Sequence, residues 1–80
     1  MFRLSKNNIE FNRVARIVSG EDEGKFVKFV HEPSSNSGFF IYESNVKGFD
    51  EVPIFDTWYE SLSKLIDAVN EDGWLLEWIK

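Results

Sequence analysis

The chain has 80 residues, of which 42% are hydrophobic and 29% charged, and its formal net charge at pH 7 is −5. This length allows one domain with one core, spanning residues 1–80, and the composition is that of a folded protein. The absence of cysteine excludes disulfides, thiolate metal sites and a cysteine nucleophile. Because the N-terminus lacks a signal-peptide pattern and no apolar run is long enough to span a membrane, we expect a cytoplasmic protein.

The first half of the chain predicts strands joined by polar turns. A short apolar segment at residues 2–4 and an Asn-Asn turn precede alternating apolar residues over 9–18. Residues 25–31 and Gly38–Ser44 are rich in Phe, Val and Ile, and a turn containing Gly precedes each of them. We therefore predict an antiparallel meander of three strands.

Residues 57–73 carry the clearest helix signal. Thr57 followed by Glu60 fits a capping box, which predicts a helix beginning near Thr57. Gly73 suits the left-handed position just after a helix, and a last strand is predicted over 74–79. Apolar residues recur at helical spacing and predict one buried stripe: Trp58, Leu62, Leu65, Ile66 and Val69.

The predicted fold is α+β, a β-β-β-α-β chain with the helix packed on one face of a three- or four-stranded sheet. The helical crossover predicts a last strand that is parallel to the third strand, and a right-handed crossover would place it beside the first. Large apolar residues occur at both parities of the strands, yet one helix covers only one face. Either the loop at 45–55 covers the second face, or that face is an apolar patch of the kind that marks interfaces.

The sequence predicts no catalytic, cofactor-binding or metal-binding site. His31 is the only histidine, and neither a nucleophile nor an orienting group stands near it in sequence. The acidic clusters at 21–23 and 50–51 lack the alternating ligands and glycine turn of a calcium loop. We therefore expect a protein that is not an enzyme and that binds neither cofactor nor metal.

Basic residues alternate with phenylalanines on the first two predicted strands. Aromatic rings among cations are how some sheets stack the bases of single-stranded nucleic acids. The net acidity works against phosphate binding and disfavours such a partner. A single-stranded nucleic-acid-binding domain is nevertheless kept as the alternative function. A homodimer of unknown function is a further alternative. The residues concerned are Arg13, Arg16, Lys25 and Lys28, with Phe11, Phe26 and Phe29.

Acidic residues concentrate in the second part of the chain. Residues 32–80 contain ten acidic and three basic side chains, whereas residues 1–31 contain four acidic and six basic ones. An acidic helix face would attract a protein with a basic surface, and aromatic residues beside it would anchor that partner. The predicted protein-binding residues are Trp58, Tyr59, Glu60, Asp67, Glu71, Asp72 and Glu77.

The C-terminal third of the chain, residues 55–79 (FDTWYESLSKLIDAVNEDGWLLEWI), resembles small bacterial immunity and inhibitor proteins. In these proteins a capped acidic helix precedes an aromatic-rich final strand. The resemblance implies a bacterial, non-enzymatic protein that binds a toxin or an enzyme through an acidic face. It identifies no particular partner.

Overall fold

The computed structural model describes residues 1–32, 38–45 and 55–79. Within them the chain forms five strands and one helix in the order β-β-β-β-α-β, which confirms the α+β class. The elements are β1 Val14–Ser19, β2 Phe26–Glu32, β3 Gly38–Ser44, β4 Phe55–Tyr59, α1 Leu62–Glu71 and β5 Leu75–Trp78. Helix α1 has ten residues and is too short to cross a membrane.

The strands form one antiparallel sheet in the order β4-β3-β2-β1-β5. The first four make a meander, and α1 then returns the chain to the other edge, where β5 pairs with β1. The predicted position of the last strand beside the first is thus confirmed. Its predicted parallel orientation to β3 is wrong, because β4 adds one reversal of chain direction before the helix.

Strand β4 replaces the predicted start of the helix. The capping box at Thr57 is wrong, because the N-cap is Ser61, whose hydroxyl accepts from the backbone N–H of Lys64 at 3.2 Å. Thr57 and Trp58 instead belong to β4, which pairs with β3 over five consecutive residues. β-branched and aromatic side chains suit a strand. Trp58 is therefore not part of the buried helical stripe.

The core lies between α1 and one face of the sheet, which we call the helix-side face. From α1, the predicted Leu65, Ile66 and Val69 are buried, and Leu62 packs partly against them. The sheet, the N-terminal segment and the turn before β5 supply the other buried apolar residues: Leu4, Ala15, Ile17, Val27, Phe29, Ile41, Trp74 and Leu76. The opposite face of the sheet is called the second face.

The N-terminal segment covers the β5 edge of the sheet. Phe2 exchanges backbone hydrogen bonds with Leu76, at 2.9 and 2.8 Å, and Leu4 is 2% exposed. The predicted Asn-Asn turn follows, where the Asn8 side chain accepts from the backbone N–H of Ser5 at 2.8 Å. This edge of the sheet is thus protected by the chain's own backbone.

The end of α1 follows the predicted glycine pattern. Gly73 has a φ of +71° and donates to the carbonyl of Asn70, while the N–H of Trp74 donates to that of Val69. These two bonds form the Schellman motif, in which a glycine ends the helix at low conformational cost. The motif turns the chain directly into β5.

Candidate functional site

Three of the predicted binding residues form one negative surface on the helix. Asp67 and Glu71 lie one turn apart on the solvent side of α1, and Asp72 caps its C-terminal end. All three are exposed. We call Asp67, Glu71 and Asp72 the acidic helix face.

Glu60 stands apart from this group, before the N-terminus of α1. Its carboxylate forms an ion pair with Lys64. The hydrogen bond from Lys64 lowers the pKa of the Glu60 carboxyl. The charge of Glu60 is thus locally balanced, and the residue adds little to the acidic helix face.

Tyr59 points to the helix-side face and packs against the core. Burial raises the pKa of its hydroxyl, with smaller contributions from the charges of Asp72 and Glu43. The ring of Tyr59 is mostly covered by other residues of the protein. Tyr59 serves as a packing residue rather than as the exposed anchor that the sequence predicts.

Trp58 and Glu77 lie on the second face, at opposite edges of the sheet. Successive side chains of a strand point to opposite faces. Glu77 is paired with Arg16 on β1, whereas Trp58 is paired with Phe40 on β3. The structure therefore separates both residues from the acidic helix face, and the predicted set of seven does not form one surface.

Trp58 is held in place by the absence of a side chain on Gly38. The indole is 50% exposed and lies across the backbone of β3. A Cβ added to Gly38 would clash with the indole Nε1 and come within 2.7 Å of its Cε2. Gly38 therefore provides the space that lets Trp58 lie flat against the sheet. No sequence motif predicts this contact between Gly38 and Trp58.

Trp58 continues into a row of apolar residues across three strands. Phe40 lies opposite Trp58, and Val30 lies opposite Phe40. The ring of Tyr42 stacks on that of Phe40, with centroids 5.9 Å apart and an interplanar angle of 16°. Val30, Phe40 and Tyr42 are each half-buried. We call Val30, Phe40, Tyr42 and Trp58 the aromatic patch.

The aromatic patch bears on the two alternatives for the second face. In the part of the chain that the structure describes, Trp58 is exposed and the other patch residues are partly accessible. The other alternative is that the loop at 45–55 covers the second face, and most of that loop lies outside the described residues.

The predicted cluster of cations and phenylalanines is divided between different environments. Phe29 is fully buried in the core, so it cannot stack on a base. Phe11 lies beside His31 and Phe39, with each pair of ring centroids 6.0 Å apart. Of the seven residues, Arg16, Phe26 and Lys28 share the second face.

Arg13 and Lys25 are engaged in ion pairs. Arg13 binds Glu10 at 3.0 Å and lies over the ring of Trp78, 5.5 Å from its centroid. Lys25 contacts Asp22 at 3.3 Å and Glu43 at 3.5 Å. Both cations therefore stabilise local structure.

The ion cluster around Lys25 shifts two ionisation equilibria. The hydrogen bond and charge of Asp22 raise the pKa of Lys25. Burial raises the pKa of Glu43, and its hydrogen bond with Asp22 adds to this effect. Because the cluster joins the β1–β2 loop to β3, we interpret it as a structural tie.

The described titratable residues form no metal-binding group, and the single histidine of the chain packs on an aromatic ring. His31 is exposed and stacks on Phe39, with ring centroids 4.3 Å apart and an interplanar angle of 8°. Over residues 1–32, 38–45 and 55–79, no three His, Asp or Glu side chains are grouped to hold a metal ion. Within the part of the chain that the structure describes, the aromatic patch is apolar and the acidic helix face is negatively charged.

No family model matches the chain. Neither a curated protein nor a solved structure matches it.

Proposed function

We propose that this protein is a protein-binding module without catalytic activity, and that it contacts its partner through the aromatic patch. The observation that carries the proposal is Trp58, which is 50% exposed although it lies flat against Gly38 on a strand. Trp and Tyr are frequent interface anchors, because each buries a large area through few rotatable bonds. A ring already held in position loses less conformational entropy on binding.

The charge distribution favours a partner with a basic surface. The net charge of −5 and the acidic helix face create a negative field around the molecule. Such a field speeds the encounter with a basic protein, whereas buried aromatic contacts slow dissociation. The acidic helix face and the aromatic patch lie on opposite sides of the sheet, so mutations can separate their proposed effects.

The resemblance of residues 55–79 to bacterial immunity and inhibitor proteins narrows the proposed partner. It favours a toxin or an enzyme, and we propose that the complex forms in the bacterial cytoplasm. The aromatic patch would cover part of the partner's surface, and the acidic helix face would guide its approach. Inhibition of the partner by simple occlusion requires no catalytic group in this chain.

The test is capture of the partner from a lysate of the source cell, followed by surface-plasmon kinetics on the purified pair. Trp58→Ala should raise the dissociation rate at least about tenfold and leave the association rate nearly unchanged. If Trp58→Ala leaves the dissociation rate of the partner unchanged, the interface does not include the aromatic patch. Thermal melts of the variant confirm that the sheet remains folded.

A matched pair of charge reversals tests the role of the acidic helix face. Asp67→Lys and Glu23→Lys make the same change in net charge, and both residues are exposed. Asp67→Lys should slow association more than Glu23→Lys does, and added salt should reduce the difference. Equal effects would show that only the net charge matters.

Single-stranded nucleic acid is a second candidate ligand, because Arg16, Phe26 and Lys28 share the second face with the aromatic patch. We nevertheless expect no binding at physiological salt, since the net charge repels phosphates. Fluorescence anisotropy with labelled oligonucleotides tests this. Micromolar binding that weakens steeply with salt and is lost in Lys28→Glu would favour the nucleic-acid function instead.

A further inference from the structure

The β4 strand lies at one edge of the sheet. In the described residues β4 is the outermost strand on its side, whereas Phe2 covers the β5 edge. Asp56, Thr57 and Trp58 are consecutive exposed residues. An edge strand directs alternate backbone N–H and C=O groups outward, where another strand can pair with them.

Strand β4 lacks proline, lysine and a bulge, three of the features that usually prevent such pairing, although Asp56 places one charge on it. Its sequence, FDTWY, contains neither proline nor lysine, and its five pairs with β3 are continuous, without a bulge. Natural edges are commonly blocked by these devices. Aromatic and β-branched residues, by contrast, favour pairing between strands.

We propose that the occupant of this edge is β4 of a second copy of the chain, paired antiparallel about a two-fold axis at Thr57. In this register Thr57 lies opposite Thr57 of the second copy. Asp56 lies opposite Trp58 of the second copy, and Phe55 opposite its Tyr59. No two like charges are directly opposed in this register, so directly facing side chains do not repel each other.

This pairing has a geometric consequence for the second face. Antiparallel pairing of two edges requires a two-fold axis perpendicular to the sheet, and such an axis keeps each face on its own side. The two aromatic patches would therefore lie on the same face of one continuous sheet. The inference does not depend on the proposed function, because one patch suffices to bind a partner.

Sedimentation equilibrium of the full chain tests the dimer. The wild type should dimerise, and Thr57→Lys should weaken dimerisation by roughly tenfold, because it opposes two like charges. Ser63→Lys is the matched control, since Ser63 is exposed on α1 and the charge change is the same. The control should leave the dimer intact.

A rescue experiment tests the register. Thr57→Lys and Thr57→Glu should each be mainly monomeric, and their mixture should restore a dimer, because opposite charges then face each other. Hydrogen exchange should show that the outward-pointing β4 amides are protected in the wild type and exposed in Thr57→Lys.

Three results would overturn the proposal: a monomeric wild type, a dimer insensitive to Thr57→Lys, or no association of the mixed variants. Each of these results is independent of how fast Trp58→Ala dissociates from a captured partner, which is the test of the proposed function. Failure of the dimer and failure of the proposed function are therefore distinguishable.

Discussion

Gly20 and Gly73 pack backbone against backbone, joining the β1–β2 loop to the C-terminal end of α1. A Cβ on Gly20 would clash with the carbonyl of Gly73 and lie 3.0 Å from the carbonyl oxygen of Asp72. Both glycines have a positive φ, +98° and +71°. The N–H of Glu21 donates to the carbonyl of Asp72 at 3.0 Å, which secures the contact.

Alanine at Gly20 should therefore be more destabilising than alanine at Gly24. Gly24 has a similar φ of +95° but no atom within 4 Å of an added Cβ. We expect Gly24→Ala to lower the free energy of unfolding by about 1–2 kcal/mol through backbone strain alone. Gly20→Ala should lower it by at least about 1 kcal/mol more, because rigid backbone must move. Equal losses in denaturant melts would contradict the importance of the contact.

A double-mutant cycle tests the packing of Trp58 on Gly38. Gly38→Ala alone should lower the free energy of unfolding by about 1 kcal/mol and change the Trp fluorescence, because the indole must leave its position. In a Trp58→Ala background the same change should be neutral or stabilising, since alanine suits a strand interior better than glycine. Additive effects would mean that the two residues do not interact.

Alanine substitutions distinguish the observed N-cap of α1, Ser61, from the N-cap that the sequence predicts, Thr57. Ser61→Ala should lower the free energy of unfolding by about 1 kcal/mol, because the N–H of Lys64 loses its acceptor. Thr57→Ala should have a smaller effect, since Thr57 is exposed on β4 and caps no helix. Denaturant melts would contradict the assignment if Thr57→Ala cost more than Ser61→Ala.

Stability should fall at alkaline pH. The pKa of Tyr59 is raised above its ordinary value of 10.0 by burial, and that of Lys25 above 10.5 by Asp22. In both cases the unfolded chain loses its proton first, so the free energy of unfolding falls as pH rises from about 10 through the folded pKa values. Tyr59→Phe keeps the ring and removes one ionisation, so its stability should fall less steeply. Identical slopes would contradict the contribution of Tyr59.

The features that the sequence predicts correctly are those that local patterns specify. Strand β3 occupies the predicted Gly38–Ser44, because the segment contains three aromatic residues and one β-branched residue. The stripe of Leu65, Ile66 and Val69 is buried, and Gly73 ends α1 in the left-handed conformation. In each case the signal and its structural result lie within a few residues of one another.

The start of α1 and the arrangement of the binding residues depend on contacts between distant segments. The sequence from Thr57 to Glu60 is compatible with a capping box or with the end of a strand. The strand forms because this segment pairs with β3 and because Gly38 leaves space for Trp58. That choice reverses the chain once more and turns Trp58 away from α1. Residues that are neighbours in sequence, such as Trp58 and Tyr59, thereby reach opposite faces, because side chains alternate along a strand. Local spacing carries no information about such pairing. The sequence therefore predicts one surface for the acidic residues and Trp58, whereas the acidic helix face and Trp58 lie on opposite sides of the sheet.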